Sequence, residues 1–230
     1  MFCRSVIKSY PKFIAKAHSK KEIKMKKTMC ITYEVDGALY VNVTNRCSNR
    51  CDFCIRQNGD GAYGSESLWL EREPTVAEIL ASIFSRNLGS YSELVFCGYG
   101  EPTFRLPDIT EVAKRVKSEY PALKIRVNTN GNSDLILGFD TAPMYKGAFD
   151  KVSISLNSPT AKGYNQICHS LYGENAFYSM LSFAKRVKLF VPEVAFSVVD
   201  EFISEEEIEA CRALAKECGI SLRVRKYIGK

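Results

Sequence analysis

From residue 31 onward the chain alternates between two hydrophobic rhythms. Runs with a period of two, as strands require, occupy residues 39–44, 93–98, 124–129, 151–157, 194–199 and 221–228. Helical patterns lie between them at 76–86, 109–120, 134–148, 161–190 with a break at Gly173, and 205–218. The last helix opens on a capping box, Ser204 with Glu207, and stops at Gly219. Six strands separated by helices predict parallel βα units with right-handed crossovers.

The two faces of these strands differ. In 151–157, Val152, Ile154 and Leu156 share one face, and Ser153, Ser155 and Asn157 the other. The same split sets Leu39, Val41 and Val43 against Tyr40, Asn42 and Thr44, and Ile125 and Val127 against Arg126 and Asn128. It sets Leu222 and Val224 against Arg223 and Arg225, and Phe196 and Val198 against Ser197. A parallel sheet covered on both sides is apolar on both faces. A closed eight-stranded barrel fills its interior with branched aliphatics. One polar face throughout fits neither, and predicts an α/β fold: a partial (βα)6 barrel of parallel strands, open on one side, with its helices outside. Leaving those polar groups dry and unpaired costs several kcal/mol each, roughly 2–7, so the interior is expected to be a wet, ligand-binding cavity.

Composition changes this picture little. The 230 residues are 46% hydrophobic and 25% charged, ordinary for a globular chain and incompatible with wholesale disorder. No apolar run is long enough to span a membrane. The net charge of +6 is a property of one end: residues 1–28 hold nine Lys/Arg against the single acid Glu22, leaving 23 basic and 25 acidic residues elsewhere. No apolar segment follows these bases as a secretory signal would need, and Lys outweighs Arg, unlike an organelle presequence. A basic nucleic-acid-binding arm would supply only salt-sensitive, sequence-blind affinity. Residues 1–30 are therefore expected to be a basic flexible extension, with Met25 a plausible alternative start, and 31–230 a single domain. Nine cysteines, an odd number without a signal peptide, predict a reducing, cytoplasmic setting.

Three of those cysteines, Cys47, Cys51 and Cys54, follow the first predicted strand directly, at the edge where βα folds bind ligands. Their spacing also fits one face of a helix. A structural zinc normally takes four ligands, and the fourth would have to be the distant Cys97 or His169. Three thiolates suit a [4Fe–4S] cluster with one iron left open. The other cysteines stand singly and read as small hydrophobes, including Cys211 and Cys218 on the last helix; Cys168-His169 reads as structural or solvent-facing.

The Cys-x3-Cys-x2-Cys run, with Phe53 before its last cysteine, resembles the radical S-adenosylmethionine (SAM) superfamily, and the likeness extends over roughly residues 37 to 228. Phe96-Cys97-Gly98-Tyr99-Gly100-Glu101-Pro102 resembles that superfamily's Gly-Gly-Glu-Pro motif, with Tyr99 replacing the first glycine. Asn128-Thr129-Asn130-Gly131 and residues 153–157 resemble positions that hold the ribose and carboxylate of SAM or substrate; Val198 and Val199 resemble the apolar contact to adenine. The resemblance implies that Cys47, Cys51 and Cys54 ligate one [4Fe–4S] cluster. It implies cofactor contacts at Phe53, Gly98, Tyr99, Gly100, Glu101, Asn128, Asn130, Ser155, Asn157 and Val198. It also implies the reaction: reductive cleavage of SAM to a 5′-deoxyadenosyl radical that abstracts hydrogen from substrate, with an electron donor such as flavodoxin or ferredoxin.

Thr44-Asn45-Arg46-Cys47, Phe53-Cys54-Ile55-Arg56 and Leu68-Trp69-Leu70-Glu71-Arg72-Glu73-Pro74 resemble, more narrowly, the radical SAM family associated with TatD-type nucleases, which implies a functional link to such a nuclease but names no substrate. Members with auxiliary clusters carry a Cys-rich C-terminal extension, so one cluster is expected here, with an open barrel side that admits a macromolecular substrate or is closed by a partner. Arg126, Arg223 and Arg225 read either as a clamp on a substrate carboxylate or phosphate, or as partners of carboxylates inside the cavity. Residues 57–73, with three glycines and Trp69, read as a lid, a partner surface or a padded surface loop. The competing reading of the whole chain is a non-catalytic zinc-bound module with a basic nucleic-acid-binding tail.

Overall fold

In the computed structural model, which describes residues 29–227, seven strands form one sheet in sequential order. They are β1 (Thr32–Val35), β2 (Ala38–Val41), β3 (Glu93–Phe96), β4 (Lys124–Thr129), β5 (Lys151–Ser155), β6 (Glu193–Val199) and β7 (Ser221–Arg225). Strands β2 to β7 run parallel, as the alternating pattern predicts. The basic extension expected at the N-terminus, with Met25, lies outside the described residues.

Strand β1 is an addition to the expected six. It pairs antiparallel with β2, Thr32 opposite Val41 and Val35 opposite Ala38. The two residues of the turn, Asp36 and Gly37, both take positive φ, 48° and 75°. That is the mirror-image turn whose twist matches a hairpin, and Asp-Gly is its usual sequence.

Six helices pack outside: α1 (Val76–Phe84), α2 (Leu106–Glu119), α3 (Ser133–Leu137), α4 (Ala161–Cys168), α5 (Asn175–Val187) and α6 (Glu205–Cys218). The capping box at Ser204 and Glu207 and the left-handed stop at Gly219 are both present. The helix expected over 134–148 is much shorter. It ends at Gly138, in the left-handed region at φ 82°, and a single 3-10 turn, Ala142–Tyr145, with Pro143 in its first turn, follows. The long pattern at 161–190 does break around Gly173, giving α4 and α5.

The apolar strand face carries the main core. Leu39, Val41, Leu94, Phe96, Ile125, Val127, Val152, Ile154, Phe196 and Val198 pack against helix residues such as Ile83, Val112 and Phe183. Each such side chain, fully buried, contributes about 1.5–3 kcal/mol. The opposite face surrounds a cavity of ≈ 500 Å³ that both edge strands help to line, through Tyr33 and Val35 of β1 and Arg223 and Arg225 of β7. No ladder joins β1 to β7. The sheet therefore curls into a partial barrel with a seam.

Candidate functional site

The cysteine loop leaves the C-terminal edge of β2 and docks on the end of α4. The last carbonyls of a helix have no partner within it; here the loop supplies them. Arg50 N–H donates to the Cys168 carbonyl at 2.9 Å and Asp52 N–H to that of Ile167 at 3.0 Å. Leu171 N–H returns a bond to Ser48 O at 2.8 Å, and His169 Nε2 meets Asp52 Oδ1 at 2.7 Å. His169, the cap of α4, is thus tied to the loop from the solvent side.

Beneath the loop lies a polar layer. Asn49 Nδ2 donates to the Tyr164 hydroxyl at 2.9 Å, Asn130 Nδ2 to Ser48 Oγ at 2.9 Å, and Asn157 Nδ2 to Cys168 Sγ at 3.5 Å. The Glu101 carboxylate sits at its centre, 5% exposed. Its Oε1 accepts from Thr103 Oγ1 and Thr129 Oγ1, both at 2.7 Å, and its Oε2 from Asn130 N–H at 2.7 Å. Burial raises its pKa while these donors pull it down.

The glycines of the turn after β3 explain how closely the pieces meet. A Cβ on Gly100 would overlap the backbone oxygens of Thr44 and Arg46, and one on Gly98 would overlap the side chain of Asn42. Tyr99, at the motif's altered position, buries its ring and donates its hydroxyl to the Gly59 carbonyl at 2.6 Å. Trp69 packs edge-on against it at 5.0 Å. Asn42 Nδ2 donates to Leu68 O at 2.7 Å, and Asn45 exchanges two bonds with the backbone of Leu70. The 57–73 segment is thereby fastened across the strand ends, with Ala62 and Leu68 in a second apolar cluster with Tyr33, Val35 and Tyr99.

The sulfur atoms have distinct surroundings. Cys51 and Cys54 line the cavity. Cys47 Sγ accepts from Asn49 N–H at 3.4 Å, and burial, with Glu101 nearby, pushes its thiol up to about 12. The neighbouring Cys168 thiol, together with burial, raises the Cys51 thiol as well. Cys54 Sγ accepts from Arg56 Nε at 3.3 Å. The Arg56 guanidinium interacts electrostatically with all three sulfurs.

The expected cofactor contacts divide. Phe53, Gly98, Tyr99 and Asn128 line the cavity. Gly100, Glu101, Asn130 and Asn157 belong to the packing beneath the cysteine loop. Ser155 stands on the inward face of β5, level with Ser197 of β6. Val198 lies in the main core with the outer strand face, and its neighbour Val199 is the one at the cavity. Phe53 also packs its ring on Phe202 at 5.1 Å, which continues to Tyr227 at 5.0 Å, closing the wall between loop and last strand. Sequence reasoning missed Tyr33, Val35 and Asp36, all at the cavity, because it missed β1.

A family model of the radical SAM superfamily matches residues 41–215. The chain belongs to that superfamily. GTP 3′,8-cyclase of Lactiplantibacillus plantarum is 23% identical over 159 residues, 69% of this chain and 44% of that protein. A probable GTP 3′,8-cyclase of Thermococcus kodakarensis is 33% identical over 129 residues, 56% of this chain and 38% of that protein. The chain thus spans less than half the length of these curated relatives. SuiB of Streptococcus suis bound to S-adenosylmethionine shares the fold, with a TM-score of 0.57 at 16% identity, covering 83% of this chain and 38% of SuiB.

Radical SAM proteins are enzymes that use a [4Fe–4S] cluster and SAM. The donor set here fits such a cluster: three soft thiols on one loop, two of them at the cavity, with a guanidinium to offset negative charge. Among the described residues no three His, Cys, Asp or Glu side chains stand gathered as a metal site. Of the two distant residues that could complete a zinc site, His169 faces Asp52, while Cys97 lines the cavity.

Proposed function

We propose that this protein is a radical SAM enzyme whose single [4Fe–4S] cluster is held by Cys47, Cys51 and Cys54 at the mouth of the cavity. The observation that carries this reading is that Cys51, Cys54, Phe53 and Gly98 all line one cavity. When bound, the cluster supplies the electron that splits SAM into methionine and a 5′-deoxyadenosyl radical, which takes a hydrogen atom from substrate. The chain's own residues do the positioning. Glu101 holds Asn130, Asn130 holds Ser48 of the loop, and Asn157 holds Cys168 of α4, on which the loop docks; Phe53, Tyr99, Asn128 and Val199 shape the space beside it; and Ser155 stands ready for a ribose or carboxylate. The 57–73 segment excludes water from one side.

The electron donor is flavodoxin or ferredoxin in this reading, and eight free cysteines among the described residues support a reducing, cytoplasmic setting. No helix among the described residues is long and apolar enough to cross a membrane. The motif wording at 44–47, 53–56 and 68–74 supports the TatD-associated branch and a link to a TatD-type nuclease. The seam between β1 and β7 supports entry of a substrate group from outside, including one carried by a macromolecule.

The test is anaerobic reconstitution with iron and sulfide. The expected result is a brown protein that, with dithionite, converts SAM to 5′-deoxyadenosine, and a colourless, inactive Cys51→Ala variant. Stoichiometric zinc in a colourless reconstituted protein overturns the reading.

A further inference from the structure

The four basic side chains that line the cavity are not equivalent. Arg126 is satisfied: its Nη2 and Nε bond to Glu93 at 2.7 and 3.2 Å, and its Nη1 to Asn128 Oδ1 at 3.0 Å. Of the two readings the sequence allows for the cavity arginines, Arg126 takes the internal pair. Arg225 does not. Its Nε is buried without a hydrogen-bond partner. Among the described residues no ion pair reaches Arg225, Arg223 or Lys226, consecutive or alternate positions at the end of β7 that all line the cavity.

None of the described acids nearby forms an ion pair with these cations. Asp36, on the exposed β1–β2 turn, is the one carboxylate in the cavity wall. Asp200, at the end of β6, accepts the Tyr227 N–H at 3.2 Å. Around Arg225 stand Cys97, Tyr63 and Tyr40, none of which is a carboxylate. A guanidinium stays charged at all physiological pH, and a desolvated one without a partner is a costly arrangement unless a ligand completes it. Its fork of N–H donors matches the oxygens of a tetrahedral or planar oxyanion. Two further cations beside it favour the more highly charged phosphate over a carboxylate.

We propose that Arg225, with Arg223 and Lys226, is the seat for a phosphate group of the substrate. It lies at the end of β7 in the same cavity that Cys51 and Cys54 line, so a phosphate held there keeps the substrate in the space the cysteine loop faces. The seat deepens the radical SAM reading by naming a substrate class, and it rests on that reading only for what happens to the anion's owner; the binding itself needs no cluster.

The experiment titrates inorganic phosphate, and acetate in parallel, into the full chain without reconstitution, at constant ionic strength, following ³¹P line width for phosphate and the thermal midpoint for both. Saturable phosphate binding, tighter than acetate, is expected. Arg225→Gln is expected to weaken it at least about tenfold and Arg225→Lys about threefold, because lysine keeps the charge but loses the fork. If Arg225→Gln fails to fold by circular dichroism, Arg225→Lys and Arg223→Gln carry the test. In the reconstituted protein, SAM affinity is expected to stay within about twofold in Arg225→Gln. Unchanged phosphate binding in the variants, acetate binding as tightly as phosphate, or a SAM affinity that falls with phosphate affinity overturns the proposal. Failure of the cluster to assemble would sink the radical SAM reading and leave the phosphate result standing.

Discussion

The backbone N–H of Asn130 donates to Glu101 Oε2 at 2.7 Å, and this bond ties the turn after β3 to the turn after β4. Asn130 in turn holds Ser48 of the cysteine loop. Two loops therefore share one buried carboxylate, and Asn130 carries the link on to a third. The motif glutamate acts here as a buckle for the backbone around it.

Replacing Glu101 by Gln tests the buckle. Its two oxygens face backbone donors on both sides, Thr103 N–H and Asn130 N–H. Either orientation of an amide would set an NH2 group against one of them. The expected loss is about 1–3 kcal/mol, the cost of an unsatisfied buried donor. It is read as a lower thermal midpoint, accompanied by faster exchange of the Asn130 amide. An unchanged midpoint would show that the network repacks freely.

Gly100→Ala places a methyl group against two backbone oxygens of the cysteine loop, Thr44 and Arg46. Neither atom can swing aside as a side chain would. The loop must move, and the expected outcome is a fall of at least about 1–3 kcal/mol in stability, together with reduced iron incorporation on reconstitution. Gly138→Ala, where the space is open but φ is 82°, is the control: it costs strain alone and leaves iron incorporation intact.

Nothing in the local pattern points to Tyr99 as the anchor of the 57–73 segment. Tyr99→Phe removes the bond to Gly59 O and is expected to cost about 0.5–1.5 kcal/mol, with new protease sensitivity between residues 59 and 66. Tyr99→Ala also removes the packing with Trp69 and Leu68, and should release the segment far more completely. If limited proteolysis cuts elsewhere first, the segment is held by its backbone bonds alone.

Asp150 links β4 to the start of β5. Its carboxylate accepts from Lys117 Nζ at 2.7 Å and Ile125 N–H at 2.8 Å. Although burial opposes it, these donors hold the pKa below the ordinary aspartate value. A lowered folded pKa means the contribution is whole above the unfolded value, about 3.9, and is lost as the pH falls through the folded one. Asp150→Asn is therefore expected to lower the midpoint at neutral pH and to converge with the parent protein as the pH falls through the lowered folded value. Curves that stay parallel across that window would contradict this linkage.

What the sequence reveals and conceals follows from what each signal measures. Period-two alternation reports the two faces of a strand, so the polar interior and all six parallel strands were legible in Val152, Ile154 and their counterparts. Strand β1 was not, because Tyr33 and Val35 form an apolar pair on the inward face, the reverse of the pattern elsewhere; the Asp36-Gly37 turn was its available signal. Helix 134–148 was overextended because Ala142, Tyr145 and Ala148 are core residues whose spacing imitates a helix, although Gly138 and Pro143 interrupt it. The three thiols were legible from spacing. The contact between Cys51 and Cys168 was not, since nothing local brings residues 117 positions apart together. Val198 and Val199 show the same limit: both are apolar, and only the pleat decides that Val199 meets the cavity.

The seam has a mechanical meaning. Every other pair of neighbouring strands must break ladder bonds to separate, but Thr32–Val35 and Ser221–Arg225 share none. Widening the interior along that one line would break no ladder bond. Passage into the cavity by that route leaves the sheet's own bonds untouched, with Tyr33 on one margin and Arg223 and Arg225 on the other.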